Sequence, residues 1–317
     1  MTENIWFWRD NVVYLWILIK QRVCINMYQN QINFEQLEKL IKQGFNIKSL
    51  AEHFNIPAKS MSQILIKEGI KVQGSRYDKI VSHNYFEKID NENKAYILGF
   101  ILADGCIQIE PKKRNGVVYS YSKRLCFCNS IDDYEILNKI RQEISPQAKL
   151  KILSNKKGAI NRKQQISLRI SSTLLIDDLI TLDIKPRKTW DTNFIFDFTK
   201  IPNDLLHHFV RGFFDGDGWF IPKGKSFGLV FTSKVFMDQI ENIFYGKLPH
   251  IKIRKSPLQN KNMITYSLIL SCGYGKSIDL FNYLYKDATI FLNRKYDKFI
   301  QANTEITSKI AKGLEVS

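Results

Sequence analysis

The chain has 317 residues, of which 47 are Lys or Arg and 31 are Asp or Glu, a formal charge of +16. That length permits two or three domains with full cores, and the charge favours a polyanionic partner, nucleic acid ahead of membrane. Five cysteines (Cys24, Cys106, Cys126, Cys128, Cys272) with no CxxC pair, and histidines without zinc-site spacing, exclude a disulfide framework and a structural zinc and point to a reducing compartment.

Residues 1–30 form an aromatic-rich apolar segment that includes Trp6, Phe7, Trp8, Tyr14 and Trp16. Its longest uncharged run, 11–19, is far short of the roughly 20 apolar residues a membrane span needs. It also lacks the basic start and small-residue cleavage site of a signal peptide. Two readings stand: a packing helix, or a stretch upstream of a true start at Met27. Neither membrane association nor secretion is expected. The expected location is the cytoplasm or nucleoid of a bacterium or phage host, or an organelle matrix.

Residues 31–75 read as a small all-α domain. Leu37, Leu40 and Ile41 share one face of a first helix. A short amphipathic helix over 47–54, a turn at Asn55-Ile56-Pro57 and a helix from Ala58 to Lys67 follow. This resembles a helix-turn-helix, with Ala51 as the small residue at the crossing. Lys59, Gln63 and Lys67 would project from the helix that enters the major groove in such motifs. A generic helical bundle is the competing reading. A linker over 76–90 comes next.

Two similar units then follow, 91–200 and 201–305, with a tail over 306–317. Each carries a similar nonapeptide near its start. The first is Ile97-Leu98-Gly99-Phe100-Ile101-Leu102-Ala103-Asp104-Gly105, and the second is Val210-Arg211-Gly212-Phe213-Phe214-Asp215-Gly216-Asp217-Gly218. Their Asp-Gly ends lie 113 residues apart, too long a period for a solenoid and right for a duplicated domain. After the first nonapeptide, Ile107 and Ile109 alternate with Gln108 and Glu110, then a basic turn is predicted over 111–116. A strand over 117–129, a helix over 132–144, strands over 149–153 and 165–171, and a helix over 174–182 complete the unit. The second unit predicts a helix over 202–217 and a hairpin around Lys223-Gly224-Lys225. A helix over 234–245, strands over 251–255 and 264–270, and helices over 277–285 and 290–301 complete it. The expected class is α+β: two pseudo-symmetric αββαββα repeats behind a small all-α domain.

The nonapeptides have a specific physics. Gly99 and Ala103 are four apart, as are Gly212 and Gly216, so each pair lies on one helix face and lets another backbone come close. The remaining faces are apolar, so both helices should be buried. Gly105 and Gly218 are expected as helix-ending residues at positive φ. Asp104 and Asp217 then sit where the helix dipole is negative, an unfavourable place for a carboxylate that a divalent cation would relieve. In the strands, Lys149, Lys151, Gln165, Arg169, Lys252 and Arg254 fall on one face and Leu or Ile on the other, which should pack under helices. With Lys112, Lys113, Arg114, Arg124, Lys223, Lys225 and Lys261, they form a candidate DNA-binding face: Arg and Lys can read guanine, and Gln can read adenine.

The paired nonapeptides resemble those of the LAGLIDADG homing endonucleases, in the monomeric form that carries two copies; the resemblance covers roughly residues 90–300. It implies a monomer that cuts double-stranded DNA. Asp104 and Asp217 would bind two or three Mg²⁺ ions (or Mn²⁺), with the main-chain carbonyls of Ala103 and Gly216 as further ligands. Lys188 and Lys295 resemble the basic positions at the end of each repeat, and Ser130 and Ser233 the residues that order water. Asp215 has no acidic match in the first copy, where Leu102 stands, and reads as structural. Two other functions remain open on the same fold: an intron RNA maturase and a DNA-binding regulator.

Overall fold

The computed structural model describes residues 28–68, 70, 72, 81–153, 163–221, 226–260, 263–271 and 274–311. The apolar opening segment, Lys223, Lys225 and Lys261 lie outside them, as does the Lys67 side chain. The chain divides into two compact units at 83/84.

The described residues of the first unit include helices α1 (Phe34–Lys42), α2 (Ile47–His53) and α3 (Ala58–Lys67). Asn33 caps α1 through the Gln36 amide, and Asn46 with Ser49 makes a reciprocal capping box on α2. Gly44 and Asn55 turn the chain at φ 87° and 51°. Leu37, Leu50, Ala51, Ile56, Met61, Ile64 and Leu65 form the core, as their spacing predicts. Lys59 is exposed and Gln63 half-buried.

The second unit is built twice from one plan. The first half runs α4 (Glu92–Asp104), β1 (Cys106–Arg114), β2 (Val117–Ser130), α5 (Tyr134–Ile144), β3 (Lys151–Leu153), β4 (Gln165–Ser171) and α6 (Thr173–Thr181). The second runs α7 (Leu206–Asp217), β5 (Trp219–Ile221), β6 (Ser226–Phe231), α8 (Lys234–Lys247), β7 (Lys252–Asn260), β8 (Met263–Ser271) and α9 (Tyr274–Tyr285), followed by α10 (Asn293–Ala311). Each half makes a four-stranded antiparallel sheet in the same order, β1-β2-β4-β3 and β5-β6-β8-β7. The class is α+β with two pseudo-symmetric αββαββα repeats, as the alternation predicts. No helix among the described residues is long and apolar enough to cross a membrane.

Several boundaries differ from expectation for local reasons. The basic stretch 111–114 is strand, not turn: β1 continues to Arg114, and only Asn115 and Gly116 turn, at φ 50° and 81°. Two such residues close a tight hairpin, and Pro111 is tolerated because β1 is an edge strand. Helix α7 starts at Leu206 rather than 202, because 202–205 close a turn through Leu205 N–H and Pro202 O. Strand β3 starts at Lys151, so Lys149 precedes it, and its Ile152 is 58% exposed rather than packed under a helix. Gly105 and Gly218 are extended, at φ −76° and −89°, because the chain passes straight from helix into strand. They are glycines for space: a Cβ at Gly105 would stand 2.7 Å from Ile101 O, and one at Gly218 2.0 Å from the Phe214 ring.

Candidate active site

The two nonapeptide helices cross at their glycines. A Cβ on Gly99 would lie 2.0 Å from Phe209 O, and one on Gly212 would lie 1.9 Å from Tyr96 O. Tyr96 and Phe209 are themselves a matched pair at the same offset as the motifs, so the contact is reciprocal across a local twofold axis. One turn on, a Cβ at Gly216 would meet Ala103 Cβ at 2.2 Å. Residues 95–102 and 208–215 are all buried, so the apolar surfaces of α4 and α7 are fully used. The crossing sets Asp104 and Asp217 side by side at the last turns, and Asp104 Cγ lies 3.5 Å from where a Gly216 Cβ would stand.

Comparisons with known proteins stand beside that geometry. No family model matches the chain. The uncharacterized protein BU087 of Buchnera aphidicola subsp. Acyrthosiphon pisum is 27% identical over 197 residues, 56% of this chain. The chain spans only 19% of that protein's length. The solved LAGLIDADG homing endonuclease I-SmaMI bound to cleaved DNA is 13% identical, with a TM-score of 0.47, over 71% of this chain and 92% of that one. The LAGLIDADG meganuclease I-AabMI bound to uncleaved DNA is 14% identical, with a TM-score of 0.43, over 69% of this chain and 93% of that one.

Both aspartates are partly exposed, and burial raises both carboxyl pKa values. Asp217 is pushed up to about 7, by burial first and by Asp104 second. Asp104 is eased by Asn129, whose Nδ2 donates to Oδ2 at 2.7 Å. Asp217 accepts no hydrogen bond from the described residues. Asn129 was not anticipated, although a signal was present. Leu125 and Phe127 alternate inward on β2, and Asn129 continues that series as a polar residue facing the helices. Its Oδ1 is buried and has no hydrogen-bond partner among the described residues.

Lys188 and Lys295 are both brought to the motif ends, and neither is solvated: they are 6% and 5% exposed. Lys188 Nζ donates to Gly105 O. Lys295 Nζ donates to Phe214 O and Gly218 O at 2.6 Å and to Gly216 O at 3.4 Å. Each ammonium therefore satisfies carbonyls that a helix end leaves orphaned and offsets the negative end of the dipole. Burial lowers both pKa values, Lys295 to about 8, although the aspartates oppose the shift.

Three other residues are settled by their neighbours. Asp215 is fully buried and accepts from Tyr96 Oη (2.8 Å), Tyr285 Oη (3.1 Å) and the Leu292 amide (2.8 Å), a structural clamp. Ser130 caps the turn that leads into α5 through the Asp132 amide. Ser233 caps α8 through the Phe236 amide and donates to Phe194 O. Ser233 is buried with its hydroxyl spent on both contacts, whereas Ser130 is half-buried and only accepts.

The outer sheet faces differ between halves. On the first, Gln108, Arg124, Gln165 and Arg169 point away from the helices, and Arg124 pairs with Glu110 at 3.1 Å. Lys112, Lys113, Arg114, Lys149 and Lys151 are exposed around them. On the second, Trp219, Gly228, Val230 and Ile269 share the outer face, and its basic residues Lys252 and Arg254 sit on edge strand β7. Lys255 turns inward, to Asp238 (2.6 Å) and Glu241 of α8. Among the described residues, the first outer face carries Arg124 and Arg169 on central strands, whereas the second has its basic residues only on edge strand β7.

The oxygen set suits a hard divalent cation. No group of three or more His, Cys, Asp or Glu that could hold a metal occurs among the described residues. Two carboxylates, destabilised by burial and by each other, and one orphaned amide oxygen beside them fit an ion that keeps several of its own waters.

Proposed function

We propose that the chain is a metal-dependent, site-specific endonuclease of double-stranded DNA, acting as a monomer whose two halves each address one strand. The observation that carries this is the juxtaposition of Asp104 and Asp217 at the crossing of two buried helices. Paired, desolvated carboxylates add nothing to stability, so a bound cation is the economical reason for them.

Asp104 and Asp217 would hold Mg²⁺ or Mn²⁺, with Ala103 O a further donor. Gly216 O already accepts from Lys295, which makes it the weaker ligand. The ions would supply polarisation of the phosphate and a water of lowered pKa. Asn129 Oδ1 can accept a hydrogen bond from water held there. Lys188 and Lys295 position the helix ends and keep positive potential beneath the phosphates. The outer sheet faces supply the DNA contacts, and α3, with Lys59 and Gln63, adds contacts on one flank as a helix-turn-helix would.

Replacing Asp104 or Asp217 with Asn is expected to lower double-strand cleavage at least about a thousand-fold while DNA binding persists, because a metal ligand is lost and the phosphate contacts are kept. Cleavage and band-shift assays on a duplex selected from a randomised library measure both. A double variant that still cuts in Mg²⁺ overturns the reading.

A further inference from the structure

The segment that carries Lys188 differs from its match in the second half, and the difference leaves a cavity. Counted from the two lysines, Arg187 matches Arg294 and Trp190 matches Asp297. In the second half the segment is the first turn of α10, and Arg294 is engaged by Asp133 at 2.7 and 3.4 Å. In the first half it is one turn of 3₁₀ helix, Lys188–Trp190, entered through Arg187 at φ 58°. A non-glycine residue in that region is uncommon, and such residues cluster at ligand clamps. The Arg187 guanidinium makes no hydrogen bond or ion pair among the described residues, its carbonyl accepts from the Trp190 amide, and Trp190 is 69% exposed. Between this segment and edge strand β1 lies a cavity of about 410 Å³, in the roughly 300–1,000 Å³ range of small-ligand sites. Its walls include Gly105, Gln108, Arg187, Lys188 and Trp190. Gly105 directly follows Asp104 and accepts from Lys188, so the cavity adjoins the candidate cutting centre. The one carboxylate on its walls, Glu110, is paired with Arg124.

We propose that this cavity receives one nucleotide of the DNA strand bound by the first half, with Trp190 stacked on the base and Arg187 on a phosphate. The proposal rests on the endonuclease reading and adds a one-sided positioning site to it. The chemistry is that of a nucleotide: an exposed indole offers a stacking face to any base, and a free guanidinium matches phosphate oxygens. Across the axis the matching arginine is spent on Asp133 and the tryptophan is replaced by Asp297. The left-handed backbone at Arg187 separates the lysine, which stays on Gly105 O, from the two side chains that face the cavity.

The test uses the full chain, with Trp190→Ala, Trp190→Phe and Arg187→Ala. A duplex cut by the wild type is selected from a randomised library, and each strand is labelled separately. Single-turnover nicking by Trp190→Ala and Arg187→Ala should slow on one strand by roughly ten- to hundred-fold, leave the other strand unchanged, and accumulate nicked duplex. Trp190→Phe should restore most of the rate. Equal slowing of both strands, or no slowing, overturns the proposal. If the wild type cuts no library member in Mg²⁺ or Mn²⁺, the endonuclease reading falls by itself. The cavity is then judged by tryptophan quenching with 5′-phosphorylated oligothymidylate. Quenching that disappears in Trp190→Phe and weakens in Arg187→Ala upholds it, and absence of quenching overturns it.

Discussion

Along the twofold axis the two halves are near copies, and away from it they diverge. Gly99 and Gly212 meet reciprocal carbonyls at almost equal distance, and each helix ends in an aspartate above a lysine that binds main-chain carbonyls. The sheets share an order but not their outer faces: among the described residues, Arg124 and Arg169 stand on central strands in the first half, and the basic residues of the second stand on edge strand β7. The cores differ too: Phe213, Phe227, Phe231, Phe236 and Phe244 fill the second half, whereas Leu and Ile dominate the first. The contrast follows from what each contact demands. Backbone against backbone admits only glycine, on both sides at once. A sheet need only bury one face, so its filling and its outer surface are free to differ. A protein built this way suits a target whose two half-sites are unlike but whose two cuts are spaced by one fixed crossing.

The strongest test of that contrast is at the axis. A methyl group added by Gly99→Ala would stand 2.0 Å from a carbonyl oxygen, and by Gly212→Ala 1.9 Å. Neither oxygen belongs to a flexible side chain, so the helices themselves must move apart. Each substitution should cost about 3 kcal/mol or more, at the upper end of overpacking, and lower the Tm by roughly 6–12 °C. Thermal unfolding of both variants measures it. A large inequality between them would mean that the axis is not the symmetric element the geometry describes.

The parts of this molecule legible in the sequence are those governed by local pattern. Alternation along Gln165–Ser171 and the paired small residues of the nonapeptides report which face is buried, whatever buries it. What escaped depends on the partner. Period-two reading stops at Pro111-Lys112-Lys113-Arg114, because nothing local says that β1 is an edge strand where proline is harmless. Gly105 and Gly218 look like left-handed caps until Ile101 and the Phe214 ring are seen against them. Lys188 and Lys295 are singled out only by resemblance, and their burial is not legible, since the carbonyls that hold them come from helices about 80 residues earlier. Asn129 was the one available clue that was missed: a polar side chain in an inward register position.

A smaller effect should separate the two aspartates. The Asp217 carboxyl has its folded pKa raised from 3.8 to about 7, so the folded state holds a proton that the unfolded state has released. Its penalty is absent below about pH 4, grows through that window, and is complete above about pH 7. Asp217→Asn removes it. In metal-free buffer the variant should exceed the wild type by on the order of 1–4 kcal/mol above pH 7 and match it at pH 4. Mg²⁺ should stabilise the wild type and not the variant. Asp104→Asn should gain less, because Asn129 already stabilises that carboxylate. Denaturant titration at the two pH values checks this, and a wild type that gains stability between pH 4 and 7 relative to Asp217→Asn would reverse the sign and dismiss the argument.

The smallest expected effect concerns the strand position that distinguishes the halves. Asn129 lies two residues beyond Phe127, which pairs with Leu168; the matching position, two beyond Leu229 and its partner Leu268, is Phe231. One half thus offers its aspartate an amide, whereas the matching side chain of the other packs against Phe194, Phe213 and Phe236. Asn129→Ala should make them alike. The hydrogen bond to a charged group is worth about 1.5–3 kcal/mol when nothing replaces it, and water at the partly exposed Asp104 will recover part of that. The remaining loss corresponds to roughly tenfold in the nicking rate of one strand. Phe231→Leu serves as the control: it alters packing in the second half and removes no donor, so the ratio of the two strand rates should hold. Strand-resolved single-turnover kinetics at fixed pH and Mg²⁺ give both ratios. If Asn129→Ala slows the strands equally, the aspartates act as one pooled site, and the difference between amide and ring matters to folding alone.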